Sequence, residues 1–384
     1  MIYLHNATIF SPHGPIEHGA LTLSDDKITA VGDSDQLICL PGWESVDAMG
    51  LMIVPGFVDL QINGGFGKDF TSDPGSIWQV GEQLPRYGVT SFLPTIISAP
   101  FETYLQAQKV LKNGPPEGYH GARVLGLHFE GPFINPEKRG AHDPEKICPP
   151  DPELYNSWSL ASFVRLVTLA PELPGAITAI ENLVRNGVVV SAGHSNASLS
   201  QAQAGFDAGI SYGTHLFNAM PPLDHRQPGL AGALLSDSRL IAGMIVDGIH
   251  IHPRMVDLAW RMLGENRTSL VTDAMAALGM PAGQYQLGEH TVHVDSSSAR
   301  LKDGKLAGSL LSLDQALQNL IAFTGCSLKE ALLTVTEVPA HLLKMDHSLG
   351  SLASGAKADF VLLSAELHVA QVWIGGRKVL PAPG

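Results

Sequence analysis

Eight short apolar runs in the middle of the chain limit what it can fold into more than any other feature. They are IVPGFVDL (53–60), GVTSFLPT (88–95), RVLGLHFE (123–130), FVRLVTLA (163–170), GVVVSAGH (187–194), GISYGTHL (209–216), LIAGMIVDGIH (240–250) and TSLVTDA (268–274). Short, mostly apolar runs suit the strands of a parallel sheet covered by helices. Most of the intervals read as helices. Examples are ASLSQAQAGFDAG (197–209) and PRMVDLAWRMLGEN (253–266), the latter with Pro253 placed for the first turn. Eight such alternations predict an α/β protein, a (β/α)8 TIM-like barrel. An open doubly wound sheet is the alternative, but its glycine-rich phosphate loops, G-x-G-x-x-G and G-x-x-x-x-G-K-[ST], are absent.

The two ends of the chain read differently. MIYLHNATIF, GALTLSDDKITAVG and LICLPGWESVDA alternate apolar and polar residues with turns between them, and so does KADFVLLSAELHVAQVWIGGRKVL near the C-terminus. Period-two alternation marks strands. Either group alone is too small for a stable sheet packing. Together they predict a small β-sandwich domain built from both termini, residues 1–52 and 347–384, flanking a barrel over 53–346.

Charge and cysteine usage narrow the partners. A net charge of −13, with no basic run, excludes a nucleic-acid backbone as ligand. An anionic substrate would need a local basic site. Cys39, Cys148 and Cys326 are far apart with no C-x-x-C, which fits a reducing compartment. The N-terminus lacks the basic and apolar regions of a signal peptide, and no apolar run has the length of a membrane span. The expectation is a cytoplasmic protein with no membrane partner.

In a barrel the chemistry sits at the C-terminal ends of the strands. Those ends carry Gln61 and Asn63, then Glu130, His194, His215, His250 and Asp273. Two imidazoles and a carboxylate are a donor set for catalytic zinc with a position left for water, so Glu130, His194 and His215 are the candidate metal ligands. A lone histidine at a strand end is more often structural; three such groups at one level favour a metal. His128 shares a strand face with Glu130 and reads as a supporting or core histidine. Asp273, ending the eighth run, is the candidate general acid/base, although an aspartate there can also serve as a helix or turn cap. Arg226, in DHRQPGLAG, has the fork geometry for phosphate or carboxylate, but taken alone reads first as a surface arginine. His142, in RGAHDP, can polarise a carbonyl, but taken alone reads first as an exposed loop histidine.

With these residues in place, the chain resembles the amidohydrolase superfamily and, within it, the N-acetylglucosamine-6-phosphate deacetylases. The resemblance runs almost end to end through VPGFVDLQINGG, GLHFEGPF, KRGAHDP, VVVSAGHSNAS, THLFNAMPPL, RQPGLAGA, IVDGIHIHP, LVTDAM and LAGSLLS. It implies hydrolysis of the acetamide of an N-acetylhexosamine 6-phosphate, with Asp273 as acid/base and His142 supporting the carbonyl. It also implies sugar or phosphate contacts from Gln61, Asn63, Ala141, Asn218, Ala219, Arg226, the turn Asp247, Gly248, Ile249 and His250, and the segment Leu306, Ala307 and Gly308. In the family, phosphate contacts can cross between subunits, which implies a homodimer. Gln61 and Asn63 stand where other members carry His-x-His, which implies one divalent metal per subunit instead of two. Zinc is expected, with iron or manganese as alternatives. VTLAPE offers no lysine at the end of the fourth run, unlike members with a carbamylated lysine there. The C4 epimer, N-acetylgalactosamine 6-phosphate, is a second substrate reading, and a catalytically silent barrel is a remote third.

Overall fold

A computed structural model describes residues 1–380. Its centre is the expected barrel. Eight strands, Phe57–Ile62, Val89–Ile96, Leu127–Glu130, Val164–Leu169, Val189–Ala192, Tyr212–Gly213, Ile241–Met244 and Thr268–Leu270, each pair in parallel with the next. The first and eighth meet just beyond their ends. Asn63 N–H donates to the Ala274 carbonyl (2.8 Å), and Asp273 N–H donates to the Gln61 carbonyl (2.9 Å). That seam sets Asp273 beside Gln61 and Asn63 through the backbone, before any side-chain contact is counted.

The first and second strands are buried at every position. This explains their mostly apolar character: one face fills the barrel, the other packs under helices. The third run is interrupted where the sequence suggested one strand. Gly126 (φ +141°) separates Arg123–Val124 from Leu127–Glu130. A Cβ there would stand 2.9 Å from Arg165 Cβ and 3.0 Å from the Phe163 carbonyl, so only glycine fits the bend. Helices cover the barrel, including Leu199–Asp207 and Pro253–Leu263. Ser198 and Gln201 form a reciprocal capping box at the start of the former, fixing the chain just after His194. Pro253 opens the latter, as its sequence suggested.

The terminal strands form a β-rich domain hydrogen-bonded as one eight-stranded sheet. It forks at Ile2–Ser11, which takes Glu44–Asp47 along its first half and Met52–Pro55 along its second. Leu4, Ile9, Leu21, Ile53, Phe360, Leu362 and Trp373 share its core. Met52–Pro55 pairs antiparallel with Phe360–Leu363, joining the two ends of the chain. This domain touches the barrel through Arg123, whose guanidinium grips Asp359 with bonds of 2.8 and 3.2 Å.

One element has no counterpart in the sequence reading. Between the eighth strand and the helix Leu313–Thr324, the strands Gly283–Leu287, His290–Val294 and Ala299–Arg300 form a small antiparallel flap. Leu287, Val292, Val294 and Ala299 pack with Ile97, Met275 and Ala307, so the flap rests on the barrel mouth.

Candidate active site

Glu130, His194 and His215 come from the ends of the third, fifth and sixth strands and meet at one point. His215 Nε2 lies 2.9 Å from Glu130 Oε1, His194 Nε2 lies 3.2 Å from the same oxygen, and the two nitrogens are 3.1 Å apart. Donors about 2.0–2.1 Å from a tetrahedral ion are about 3.3 Å from one another, so this triangle fits a single divalent ion. The cluster can hold one metal. His194 Nδ1 donates to the Lys138 carbonyl at 2.8 Å, which turns the Nε2 lone pair inward. His194 (φ +48°), His215 (φ +29°) and Asp273 (φ +48°) all adopt left-handed backbone. Non-glycine residues hold such conformations at a cost, and such strain clusters at functional sites.

Charge is concentrated here. Burial acts to raise Glu130, but hydrogen bonds from His142, His194 and His215 outweigh it and hold the carboxyl well below its usual range. Burial acts to lower His215, yet the bond to Glu130 and that carboxylate's charge draw it upward. A dication held by Glu130, His194 and His215 would take the place of that proton. Asp273 is pushed up to about 6, by burial first and then by the charge of Glu130. Its Oδ1 accepts from Asn63 Nδ2 (2.7 Å) and Gln61 Nε2 (3.2 Å), and the same Gln61 amide donates to Glu130 Oε1 (2.9 Å). Gln61 Oε1 and Asn63 Oδ1 are buried acceptors with no partner, left for the protons of water or a ligand. Thus the residues standing in place of His-x-His spend their donors on the two carboxylates.

His142 completes the floor. Its Nδ1 accepts from the Ser98 N–H (3.2 Å) and lies 2.8 Å from Ser98 Oγ. Accepting there places the ring proton on Nε2, which lies 3.7 Å from Glu130 Oε2. Burial, then the neighbouring His194, lowers its pKa to about 4, so the ring stays neutral and presents an N–H. His128 is a core residue: it is fully buried, between Thr95 Oγ1 (3.0 Å) and Thr168 Oγ1 (2.8 Å).

These groups floor a cavity of about 370 Å³, also lined by Asn63, Ala141, Asn218, Ala219, His250, Leu306 and Gly308. Asp247, Gly248 and Ile249 lie behind it as a turn: Asp247 Oδ1 accepts the N–H of Ile249 and His250, and Oδ2 meets His250 Nδ1 at 2.6 Å. They position His250 without lining the cavity. Ala307 is buried with the flap core. Arg226 is not brought to this site in its own chain: it is exposed and lines a separate cavity with Ser198, Gln203 and Gln227. The sequence reading missed Lys138, Arg139 and Lys305, which do line the site with Ile97, Met220 and Leu287. The motif KRGAHDP contained two of them. It also missed Asp59, fully buried beneath Gln61 and bonded to Thr272 Oγ1 at 2.6 Å; its position on the same strand face as 61 and 63 was the available signal.

A closed parallel barrel with a Glu/His/His cluster and a carboxylate at its C-terminal mouth defines a class, the barrel hydrolases that work with a bound metal. Residues 52–379 match the model of the Amidohydrolase family, and the chain belongs to that family. It is 43% identical over 357 residues to the N-acetylglucosamine-6-phosphate deacetylase of Homo sapiens, covering 88% of this chain and 86% of that one. It is 39% identical over 337 residues to the N-acetylgalactosamine-6-phosphate deacetylase of Escherichia coli O157:H7, covering 85% and 87%. Among solved structures, the N-acetylglucosamine-6-phosphate deacetylase of Pasteurella multocida superposes with a TM-score of 0.91 at 31% identity, covering 98% of this chain and 99% of that one. A mutant of the Mycobacterium smegmatis enzyme, in complex with N-acetyl-D-glucosamine-6-phosphate, gives 0.89 at 34%, with the same coverage.

Proposed function

We propose that the protein hydrolyses the acetamide of N-acetyl-D-glucosamine 6-phosphate to D-glucosamine 6-phosphate and acetate. The observation that carries this reading is Asp273, held by Asn63 and Gln61 beside the Glu130/His194/His215 cluster and in one cavity with the His142 N–H. Two imidazoles and a carboxylate favour zinc, and iron or manganese accept the same donors. Held there, a divalent metal supplies Lewis acidity toward water and the amide carbonyl. The protein's own groups do the rest. Asp273 takes the proton from the attacking water, His142 donates its N–H to the carbonyl oxygen as charge gathers there, and Asp273 returns the proton to the departing amine. The C–N bond breaks as the amine leaves, giving acetate and the free amino sugar. Gln61 and Asn63 fix Asp273 Oδ1 so that its other oxygen carries the proton.

Asn218, Ala219, Leu306 and Gly308 would meet the sugar, and His250 its phosphate. Because Arg226 lies outside the cavity of its own chain, we assign it to the phosphate of a neighbouring subunit in a homodimer. The same reading takes 53–346 as the catalytic unit, supported by 1–52 and 347–384, in a cytoplasmic enzyme. Among the described residues no helix is long and apolar enough to cross a membrane. The galactosamine epimer is the second reading, favoured by similarity to the E. coli relative. Acetate release measured side by side on the two phosphorylated sugars tests both: a preference of tenfold or more for the galactosamine epimer replaces the first reading with the second. No release from either, with metal bound, removes both.

A further inference from the structure

Asp273 sits on left-handed backbone (φ +48°), which a non-glycine residue keeps only where its surroundings over-determine it. Here they do, because both backbone groups of Thr272, Asp273 and Ala274 are bonded. Asp273 N–H donates to the Gln61 carbonyl (2.9 Å), and the Asp273 carbonyl accepts from Ser309 N–H (2.8 Å). Thr272 N–H donates to Asp59 Oδ1 (3.3 Å), and the Thr272 carbonyl accepts from Ser309 Oγ (2.6 Å). Ala274 N–H donates to Thr272 Oγ1 (3.2 Å), and the Ala274 carbonyl accepts from Asn63 N–H (2.8 Å). Two buried hydroxyl residues, Thr272 and Ser309, recur in that set. We infer that they are positioning residues for the acid/base, a clamp that aims the Asp273 carboxylate and ties it to the segment lining one side of the cavity. This rests on the deacetylase reading above and deepens it.

Each hydroxyl has both its proton and a lone pair engaged. Thr272 Oγ1 donates to Asp59 Oδ2 (2.6 Å) while it accepts from Ala274 N–H, which holds the strand end against the buried first strand. Ser309 Oγ donates to the Thr272 carbonyl while it accepts from Leu311 N–H (3.0 Å). Removing either oxygen strands a backbone group: the Thr272 carbonyl in Ser309→Ala, the Ala274 N–H in Thr272→Val. The strained dihedrals of residue 273 then lose a restraint, and the side chain turns with its backbone. Gln61 and Asn63 fix Asp273 Oδ1, whereas the two hydroxyls fix the Cα behind it. Both ends must be held to set the direction of Oδ2.

Ser309 also continues the cavity wall, since Leu306 and Gly308 line the cavity. Gly308 (φ +64°) passes so close to Asp273 that a Cβ there would stand 3.1 Å from the Asp273 carbonyl oxygen. The Ser309 carbonyl accepts from Met275 N–H (3.1 Å). The wall and the proton-carrying residue are therefore one hydrogen-bonded unit. Neither Thr272 nor Ser309 is among the residues that line the cavity, so their loss should appear in turnover and leave ground-state binding alone.

Thr272→Val, Thr272→Ser and Ser309→Ala, each made in the parent and in an Asp273→Asn background, test the clamp. A reacting group misplaced by about 1 Å can cost about 10²-fold, so Thr272→Val and Ser309→Ala should each lower kcat on N-acetylglucosamine 6-phosphate by about tenfold or more. KM, and calorimetric binding of glucosamine 6-phosphate, should stay within about threefold of the parent. Thr272→Ser keeps the hydroxyl and should hold kcat within about threefold of the parent. In the Asp273→Asn background, assayed at high enzyme concentration, the same substitutions should change the residual rate by less than about twofold, because the group they aim no longer carries a proton. Ser309→Ala removes a single oxygen and decides the matter if Thr272→Val does not fold. Losses that multiply undiminished in the Asp273→Asn background, or that fall on KM and binding as much as on kcat, overturn the clamp. An active parent matched in kcat by its variants overturns it alone; a parent inactive on both phosphorylated sugars overturns the deacetylase reading and the clamp with it.

Discussion

Replacing Asp273 by asparagine isolates the proton transfers from everything else the site does. Asp273 Oδ1 accepts from two amide groups, Asn63 at 2.7 Å and Gln61 at 3.2 Å. An asparagine must therefore turn its carbonyl oxygen to that side, because the opposite orientation sets three amide donors against one another and forfeits about 1–2 kcal/mol or more. Its NH₂ then occupies the place of Oδ2, where it can neither take nor return a proton. Shape and the two hydrogen bonds survive. Since general acid–base catalysis contributes about 10²–10⁴-fold and the proposed reaction uses this residue in both transfers, kcat should fall by about 10⁴, roughly 5.5 kcal/mol in barrier. KM should stay within about threefold, because no contact to the ground-state sugar is lost. The parent offers a second signature. In the proposed reaction Asp273 acts as the carboxylate, and its pKa is pushed up to about 6. A dication beside it lowers that value, so kcat/KM should fall as pH drops through a value below 6, and the variant should lose this limb. Acetate release measures the rate; thermal melting and elemental analysis confirm that fold and metal are retained. A variant within tenfold of the parent in kcat, or one that keeps the acid limb, refutes the assignment.

Asp59→Asn should change how stability depends on pH. Burial pushes Asp59 up to about 7 against hydrogen bonds from Thr272 and Gln61, so the folded state holds a proton that the unfolded chain releases near 3.8. That stability is complete below the unfolded value and lost as pH rises to about 7, amounting to about 4 kcal/mol at most. Asparagine mimics the protonated acid, so the variant's Tm relative to the parent's should rise from pH 4 to 7; a constant difference would disprove it. His215→Ala should abolish both turnover and the expected single metal per chain, whereas a parent holding close to two metals would show that Gln61 and Asn63 do not close the second site. Arg226→Ala mixed with His194→Ala should recover activity if the arginine serves a neighbouring subunit, and should recover none if it serves its own chain.

The sequence revealed what repeats and what ends strands. Eight apolar runs exposed the barrel because burial on both faces erases polar alternation. Glu130, His194, His215 and Asp273 stood out because each stands where an apolar run ends, at the level of the rim. His142 and Arg226 looked alike on paper, both exposed candidates in loops. One is buried against Ser98; the other lies in a turn whose N–H groups bond to Asp224 (2.8 and 2.9 Å), away from the metal cluster. Loop residues carry no period, so their direction is set by tertiary contacts. Lys138, Arg139 and Lys305 were missed for the same reason. So was the flap: its strands are only two to five residues long and carry too few apolar residues to read as buried runs.

The pairing of Met52–Pro55 with Phe360–Leu363 has a consequence for the nascent chain. The partners Val54 and Val361 are about three hundred residues apart, and synthesis at about 5–20 residues per second separates their emergence by roughly 15 to 60 seconds. Throughout that interval an edge containing Ile53 and Val54 has no closing strand, directly ahead of the first barrel strand. An open apolar edge is a template for pairing with another chain. A product terminated between residues 55 and 360 therefore carries the same unsealed seam. The split domain thus closes last, and its core is completed only after the barrel between its halves has been made.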